Sequence, residues 1–568
     1  MAGNPKQERI VIADLRGGRN QTDPPMSLPA NQGTEALNVD WVDATLCRKR
    51  GGATAVTDTG GTAFSSGLQS LFRFVPGAAE TAAEFWGIDG AATPIVKRMT
   101  GGTSFADVTM SDAIATAPQS VTSAVLNGKL FLAYDSTVDR LHCYDPLLGT
   151  PRCRRVGFAT PAAPPVANEG AGAYPATLRY YRVRWLQLSG TTVIRRSLAG
   201  ASVSFTPAGA NAAARVTQPA VASEQETHWE VEASTNDSAF YRLAQVAIAT
   251  TTYDDSALVG TYPTNPLSAV AGAHTNPTSW RYILTDGNRL LGAGAWETSG
   301  ARNSRIWFTP VLGSADTGDD ERIPDTTGQK NWVDLNENDG GFVTGLGGPV
   351  NGVPYAFKYR QVWKLRPTGD VQTPFLPRKV RDDIGCISQK SICIGEDQFG
   401  RAALYFLSHR GPYRLTQDGD IQYLGRDNED IWRAMNLAAT TVVSHSVFHP
   451  DRHQWWLWVA TAASNDPDTK MMFDVQLGLP DSNGQIRGGW AEHTGPTAGA
   501  RCSCLFSNTL AASMSRDLKP HIGRSTGTTI LKCDTTDTND GGTNFQAFVE
   551  TRPILTTGEL GKKIGLEE

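Results

Sequence analysis

The sequence predicts an all-β protein: a β-propeller of about six to eight antiparallel blades, carrying an inserted sandwich of the immunoglobulin or fibronectin type III kind. Three observations lead there. A strand–turn–strand unit recurs seven times along the 568 residues. Between the second and third units lies a run of short alternating strands, about 100 residues long, the size of one sandwich domain. The composition agrees: 57 glycines, 32 prolines, 19% charged and 40% apolar residues describe a folded, turn-rich chain.

The chain is too long for one compact core and holds material for roughly two to five domains, unless a closed repeat architecture absorbs it. Residues 1–15 carry no apolar stretch of signal-peptide length, and no run of 18 apolar residues occurs. Synthesis and folding in a cytosol, without membrane insertion, are therefore expected. A net charge of −5 argues against a general nucleic-acid-binding surface, which needs clustered Lys and Arg; a passive conduit for DNA needs none. The cysteines at 47, 143, 153, 386, 393, 502, 504 and 533 form no C-x-x-C pair. Cys502 and Cys504 would share one face of a strand, but free thiols are the expectation.

The first element is residues 1–52, a strap with lead-in strands. From Ile12 it reads as a short strand, a Gly17-Gly18 turn and a stiff Asp23-Pro24-Pro25 segment. Two further strands follow. Asn38-Val39-Asp40-Trp41-Val42 alternates polar and apolar residues at period two, which predicts one buried and one solvated face. Thr45-Leu46-Cys47-Arg48 is the weaker strand, a hairpin step away. If that strand continues, Arg48 and Arg50 share a face.

The first blades are expected over 53–159 and the remaining ones over 263–544. The seven hairpins pair 85–88 with 95–98, 129–134 with 140–144, 289–292 with 305–308, 355–358 with 361–365, 403–407 with 413–415, 455–459 with 471–474, and 521–523 with 530–534. Their starts lie roughly 45–65 residues apart outside the insertion, near the propeller-blade period. Helical pattern is scarce; 430–435 is worth a turn or two. The insertion, 160–262, opens on Pro161, Pro164 and Pro165 and holds strands such as 180–185, 201–205, 228–233 and 240–243. The cysteine pair of antibody domains is missing, which favours the fibronectin type III pattern. It should project as a loop between blades. Residues 545–568 are one more strand, Phe545 to Leu555, and a tail. Strands this early and this late predict ring closure by N- and C-terminal strands in one blade.

Candidate chemistry is sparse. His445, His449 and His453 are spaced by four, but in a strand–turn–strand context they lie ~13 Å apart, too far to share an ion; a turn could still join 449 to 453. Asp316, Asp319, Asp320, Glu321 and Asp325, and then Asp534, Asp537 and Asp540, are acidic clusters. They lack the spacing of a calcium loop and read as solvated loops rather than a glycosidase pair. Gly523-Arg524-Ser525-Thr526-Gly527 matches a nucleophile elbow, yet a β-branched strand follows where a helix is needed, so it reads as a hairpin turn. Arg48-Lys49-Arg50 either touches phosphate or pairs with carboxylates. Of 14 tryptophans, those at 86, 307, 363, 455, 456, 458 and 490 recur at blade positions, as core or as a sugar-stacking platform. No catalytic residue, cofactor or metal site is expected.

The N-terminal pattern carries a resemblance. Gly17-Gly18-x-Asn20, Asp23-Pro24-Pro25, Leu28-Pro29, Ala36-x-Asn38-Val39-Asp40 and Leu46-x-Arg48-x-Arg50-Gly51 resemble the opening of tail proteins of tailed bacteriophages. The nearest type is the β-propeller nozzle, or tail hub, of short-tailed phages; related tail-tip propellers come second. Gly411-Pro412-Tyr413-Arg414-Leu415 through Ile421 also looks like a blade of that family. The family implies a structural virion protein and no enzyme. Copies would form a homo-oligomeric ring, a hexamer in nozzles, in a tail assembled in the host cytoplasm. The ring would meet portal-adaptor and tail fibre proteins and touch exiting DNA transiently and without sequence preference. The sandwich would face outward. More chain is expected after the last strand than is present, which leaves two alternatives for the final blade: closure by this chain or completion by a neighbouring protein. A receptor-binding tail-tip or fibre-associated protein is the alternative, and a carbohydrate-active propeller enzyme ranks third.

Overall fold

In the computed structural model the chain is described over residues 15–553, apart from 16, 43–46, 57–63, 77–82, 101–103, 136, 147–151, 173–175, 209–211, 269–279, 295, 298–299, 302, 312–330, 337–338, 340, 371–372, 508–517 and 526. The described residues form a β-propeller of seven four-stranded antiparallel blades. The first strands of the blades, from the axis outward, are Leu68–Phe74, Thr122–Leu126, Tyr282–Asp286, Val343–Val350, Cys393–Glu396, His445–His449 and Ala500–Phe506. Each of the seven hairpins read from the sequence is the second and third strand of one blade.

The middle strands read as continuous apolar runs because both of their faces are buried, each against a neighbouring blade. In Lys129–Ala133, Leu130 and Leu132 face blade one, while Phe131 and Ala133 face blade three. In Gln454–Val459, Trp455, Leu457 and Val459 join the core shared with blade five; Trp456 and Trp458 join the core shared with blade seven. One apolar cluster fills each junction around the ring, and the last joins Cys502, Phe506 and Ile530 to Leu68 and Phe85. The seven tryptophans singled out at blade positions are spent in these junctions, six of them buried and Trp307 half-buried.

Ring closure comes from the N-terminal side. Gly52–Ala55 is the fourth strand of blade seven, antiparallel to Ile530–Thr535. This corrects one expectation, since residues 53–55 belong to the last blade rather than the first, and it decides between the two alternatives for that blade: its fourth strand comes from this chain. The late strand Phe548–Thr551 goes elsewhere. It pairs antiparallel with Gln32–Leu37, which runs parallel to the outer strand Trp490–His493 and so widens blade six. Leu555 and the tail lie outside the described residues, as does Ile12.

Between blades two and three the chain forms a two-sheet sandwich. Val166–Ala171, Ala212–Thr217 and Thr252–Asp255 make one sheet; Arg179–Ser189, Thr192–Arg196, Val203–Phe205, His228–Ser234 and Tyr241–Ala247 make the other. Trp185, Trp229, Tyr181 and Val216 fill the space between them.

Local expectations fail in three places. Val39–Trp41 is a strand, but Asp40 is as buried as its neighbours, because this strand is covered on both faces. Asn38 precedes it in the left-handed region at φ 52°. The partner strand is Cys47–Lys49; it ends before Arg50, so the shared face fails: Arg48 is exposed and Arg50 buried. The first strand of the strand–turn–strand segment around the histidines begins only at His445, because residues 442–443 before it close a helix, Leu437–Val443. The short helix Glu429–Arg433 lies where a turn or two was read.

Candidate functional site

Two assemblies of polar groups stand out, the joints of the N-terminal strap and the axial channel. The strap begins at Gly17, whose amide donates to the Asn31 carbonyl at 2.9 Å. Gly18 has φ +61° and lies so close to blade six that a Cβ would meet the Trp490 carbonyl oxygen at 2.8 Å; only glycine meets both demands. Asn20 is fully buried and organises the turn: its Oδ1 accepts from the amides of Thr22 and Asp23, and its Nδ2 donates to Gln32 and Asp23. Asp23 also accepts from Arg487 at 2.9 Å, and Arg487 reaches Asp427 at 2.7 Å. The hydrogen bond from Asn20, then Arg487, holds Asp23 below the usual carboxylate range against the cost of burial. Pro24 and Pro25 are exposed and enter a 3-10 turn, Pro25–Ser27, so they set the turn without packing on a blade.

The second joint is built on Asn38 and Arg50. Asn38 Nδ2 donates to Thr494 Oγ1 and to the Gln546 carbonyl; Oδ1 accepts from the Thr494 amide and from Arg50 Nε. The Arg50 fork closes on Asp540, and its guanidinium lies 3.7 Å from the centre of the Phe545 ring. Gly51 gives these elements room: a Cβ would lie 2.8 Å from Asp534 Oδ1 and 2.9 Å from the Thr535 carbonyl. Asp40 faces His493 at 3.9 Å with one carboxyl oxygen unpartnered; burial pushes its pKa up, and the nearby Asp534 adds to the effect.

The other candidates are placed as follows. His449 donates to Asp534 at 3.1 Å while His453 pairs with Glu396, so the turn does not join them around an ion. Burial works against the Asp534 carboxylate, but hydrogen bonds from His449, Lys519 and Arg452 outweigh it and hold its pKa well below the usual range. Asp537 is an exposed loop carboxylate, as read, and accepts from Thr54, whereas Asp540 is buried and held by Arg50. No cluster of metal-ligating side chains occurs among the described residues. Ser525 follows the strand Lys519–Arg524 at the start of a hairpin. The cluster 316–325 and Thr526 lie outside the described residues. All eight cysteines are free thiols.

The axial channel holds a cavity of about 390 Å³ to which all seven blades contribute. The wall is two-sided. Blades six, seven, one and two present Ser446, Ser503, Ser70 and Ser123; blades three, four and five present Ile283, Leu346 and Ile394. Four titratable side chains line it: Lys390, Cys393, His445 and Cys502. Lys390 sits in the 3-10 turn Gln389–Ser391 before blade five, and its ammonium donates to the Gln69 carbonyl at 2.8 Å. The carbonyls of Gln119 and Arg501 lie 3.5 Å away. All three acceptors belong to residues lining a second cavity of about 500 Å³, so Lys390 stands between the two spaces. Burial draws its pKa down to about 8. Nothing in the sequence singled out Lys390, since a lone lysine in a loop carries no pattern.

No protein-family model matches the chain, and no curated protein matches it. Among solved structures it is similar to "YCF48 bound to D1 peptide", with 12% identity and a TM-score of 0.22, over 67% of this chain and 97% of that one. A likeness that distant carries no function across.

Proposed function

We propose that this chain is a structural protein of a bacteriophage tail: one copy of a homo-oligomeric nozzle ring, six to the ring, that forms part of the DNA-ejection conduit and docks tail fibres. The observation that carries this reading is the fate of the motif that resembles phage nozzle openings. Gly18, Asn20, Asn38, Arg50 and Gly51 are buried or closely packed in joints that fasten the first fifty residues to blades six and seven. Residues spent this way hold an architecture together and leave no reactive group free, as a conduit protein requires.

Cryo-electron microscopy of the purified particle tests it. A sixfold ring of this chain between portal adaptor and fibres is the expected result, and a tail without any copy overturns the proposal. Threefold symmetry, with host-cell binding lost on deleting 160–262, would replace it with the receptor-binding reading.

A further inference from the structure

We propose that two charged blade edges form a contact between copies of this chain: the basic edge of blade four on one copy docks on the acidic edge of blade six on the next. The proposal rests on the ring reading above and names the faces that meet.

The basic edge is carried by Val362–Pro367 and Phe375–Arg381, the third and fourth strands of blade four. Their register places Lys364 directly opposite Arg378 and Arg366 directly opposite Leu376. Opposite residues, and residues two apart on one strand, point to the same face, so these four side chains form one patch. Arg366 and Arg378 are exposed, Lys364 is half-buried, and Leu376 is 43% exposed. The acidic edge has the same layout. On Gln32–Leu37 and the outermost strand of blade six, Phe548–Thr551, Glu35 stands opposite Glu550 and Leu37 opposite Phe548. Glu550 is exposed and Phe548 is 40% exposed, beside the half-buried Glu35 and Leu37.

Each patch works against its own sheet, because like charges directly opposite each other repel. Among the described residues no carboxylate pairs with Lys364, Arg366 or Arg378, and no cation pairs with Glu35 or Glu550. Protection of a sheet edge accounts for a lone lysine or proline. It does not account for like charges face to face beside an exposed leucine or phenylalanine. A second copy removes the conflict: the three cations meet the two glutamates, and Leu376 meets Leu37 and Phe548. Opposite potentials of this kind select the partner and set its register. Each patch repels its own kind, so the contact joins unlike faces, head to tail, as a ring requires. Blades four and six are two steps apart on a seven-blade disc, so the faces diverge by roughly 100°; faces set back to back would give a straight filament instead.

Native mass spectrometry and light scattering of the full-length protein test the contact. The wild type should assemble at low ionic strength and high protein concentration. Lys364→Glu with Arg378→Glu, and separately Glu35→Lys with Glu550→Lys, should each weaken association roughly hundredfold or more, since each variant then presents one sign on both edges. Mixed one to one, the two variants should assemble again, because every basic edge once more has an acidic edge to meet; a misfolded variant would not recover. A wild type that stays monomeric, a reversal that leaves association unchanged, or a mixture that stays dissociated overturns the proposal. The copy number tests the ring reading separately. An assembly of another size that obeys the reversals keeps the contact and counts against the hexamer, whereas a sixfold ring indifferent to them keeps the hexamer and overturns the contact.

Discussion

Arg50 and Asp540 form a bidentate ion pair, at 2.9 and 2.6 Å, between side chains that are both buried and 490 residues apart in sequence. The pair sits where the strap, the outer edge of blade six and the loop after blade seven meet, so one contact ties both ends of the ring. A buried pair is worth most as a matched set, because removing one member strands the other charge. Arg50→Lys keeps the charge but loses the planar fork, the Asn38 contact and the stack on Phe545. Its expected cost is about 2–4 kcal/mol in chemical denaturation, and a loss under ~0.5 kcal/mol, the scale of an ordinary surface substitution, would show that the pair does not fasten the ring. Replacing both partners with apolar residues should recover part of the loss.

Asn38 separates backbone from side-chain effects. Its φ of 52° is tolerated by asparagine and glycine and costs other residues about 1–2 kcal/mol. Its side chain takes part in four hydrogen bonds. Asn38→Gly keeps the conformation and loses those bonds, for an expected loss of about 2–3 kcal/mol. Asn38→Ala should be worse by about 1 kcal/mol. Equal midpoints for the two variants would mean that the left-handed conformation is not what the residue provides.

The blade hairpins were legible for a physical reason: strands buried on both faces must be apolar along their length, and no loop mimics Trp455-Trp456-Leu457-Trp458-Val459. The strap strand Gln32–Leu37 was not, because Gln-Gly-Thr-Glu-Ala-Leu lacks both alternation and β-branched residues on a regular face; its pairing is imposed by the strands on either side. The helix Leu437–Val443 hides behind Thr440, Thr441, Val442 and Val443, which read as strand, while Asn436 caps it through the Ala439 amide. The motif residues at 17–51 were legible as a pattern but not as joints, since the partners that fasten Asn38 and Arg50 to the blades, Gln546 and Asp540, lie more than 400 residues away. The channel was least visible. His445 and Lys390 become neighbours only when blades five and six pack together.

The sandwich docks on blade two through Arg195, a fully buried guanidinium that donates to the carbonyls of Arg155, Gly157 and Glu224 at 3.1, 2.7 and 2.6 Å. Arg140 of blade two pairs with the Glu224 side chain. Arg195→Met preserves the apolar stem and removes these three bonds together with the one from Nε to Gln187. The expected outcome is faster hydrogen exchange at residues 155–159 and 224–227, with the exchange of blades four to seven unchanged. Uniform protection in the variant would show that the sandwich is held by other contacts.

Asp474 makes stability depend on pH in an unusual direction. It ends the third strand of blade six, where its Oδ1 accepts from the amides of Gln476 and Leu477. Burial outweighs those two bonds and pushes its pKa up to about 7. As pH rises from about 4, the unfolded chain releases this proton first, so the folded state binds more protons and stability falls until pH passes about 7. Every tenfold difference in proton affinity between the folded and unfolded chain corresponds to about 1.4 kcal/mol. Asp474→Asn keeps the Oδ1 acceptor and carries no charge at any pH. Titrating groups that do not interact with Asp474 cancel in the comparison of the two proteins, which leaves its own proton and its coupling to His453 and Asp40. The variant should match the wild type near pH 4 and exceed it by about 1–3 kcal/mol at pH 8, the difference growing across the interval. A difference that stays flat from pH 4 to 8 would mean that Asp474 is ionised in the folded protein throughout.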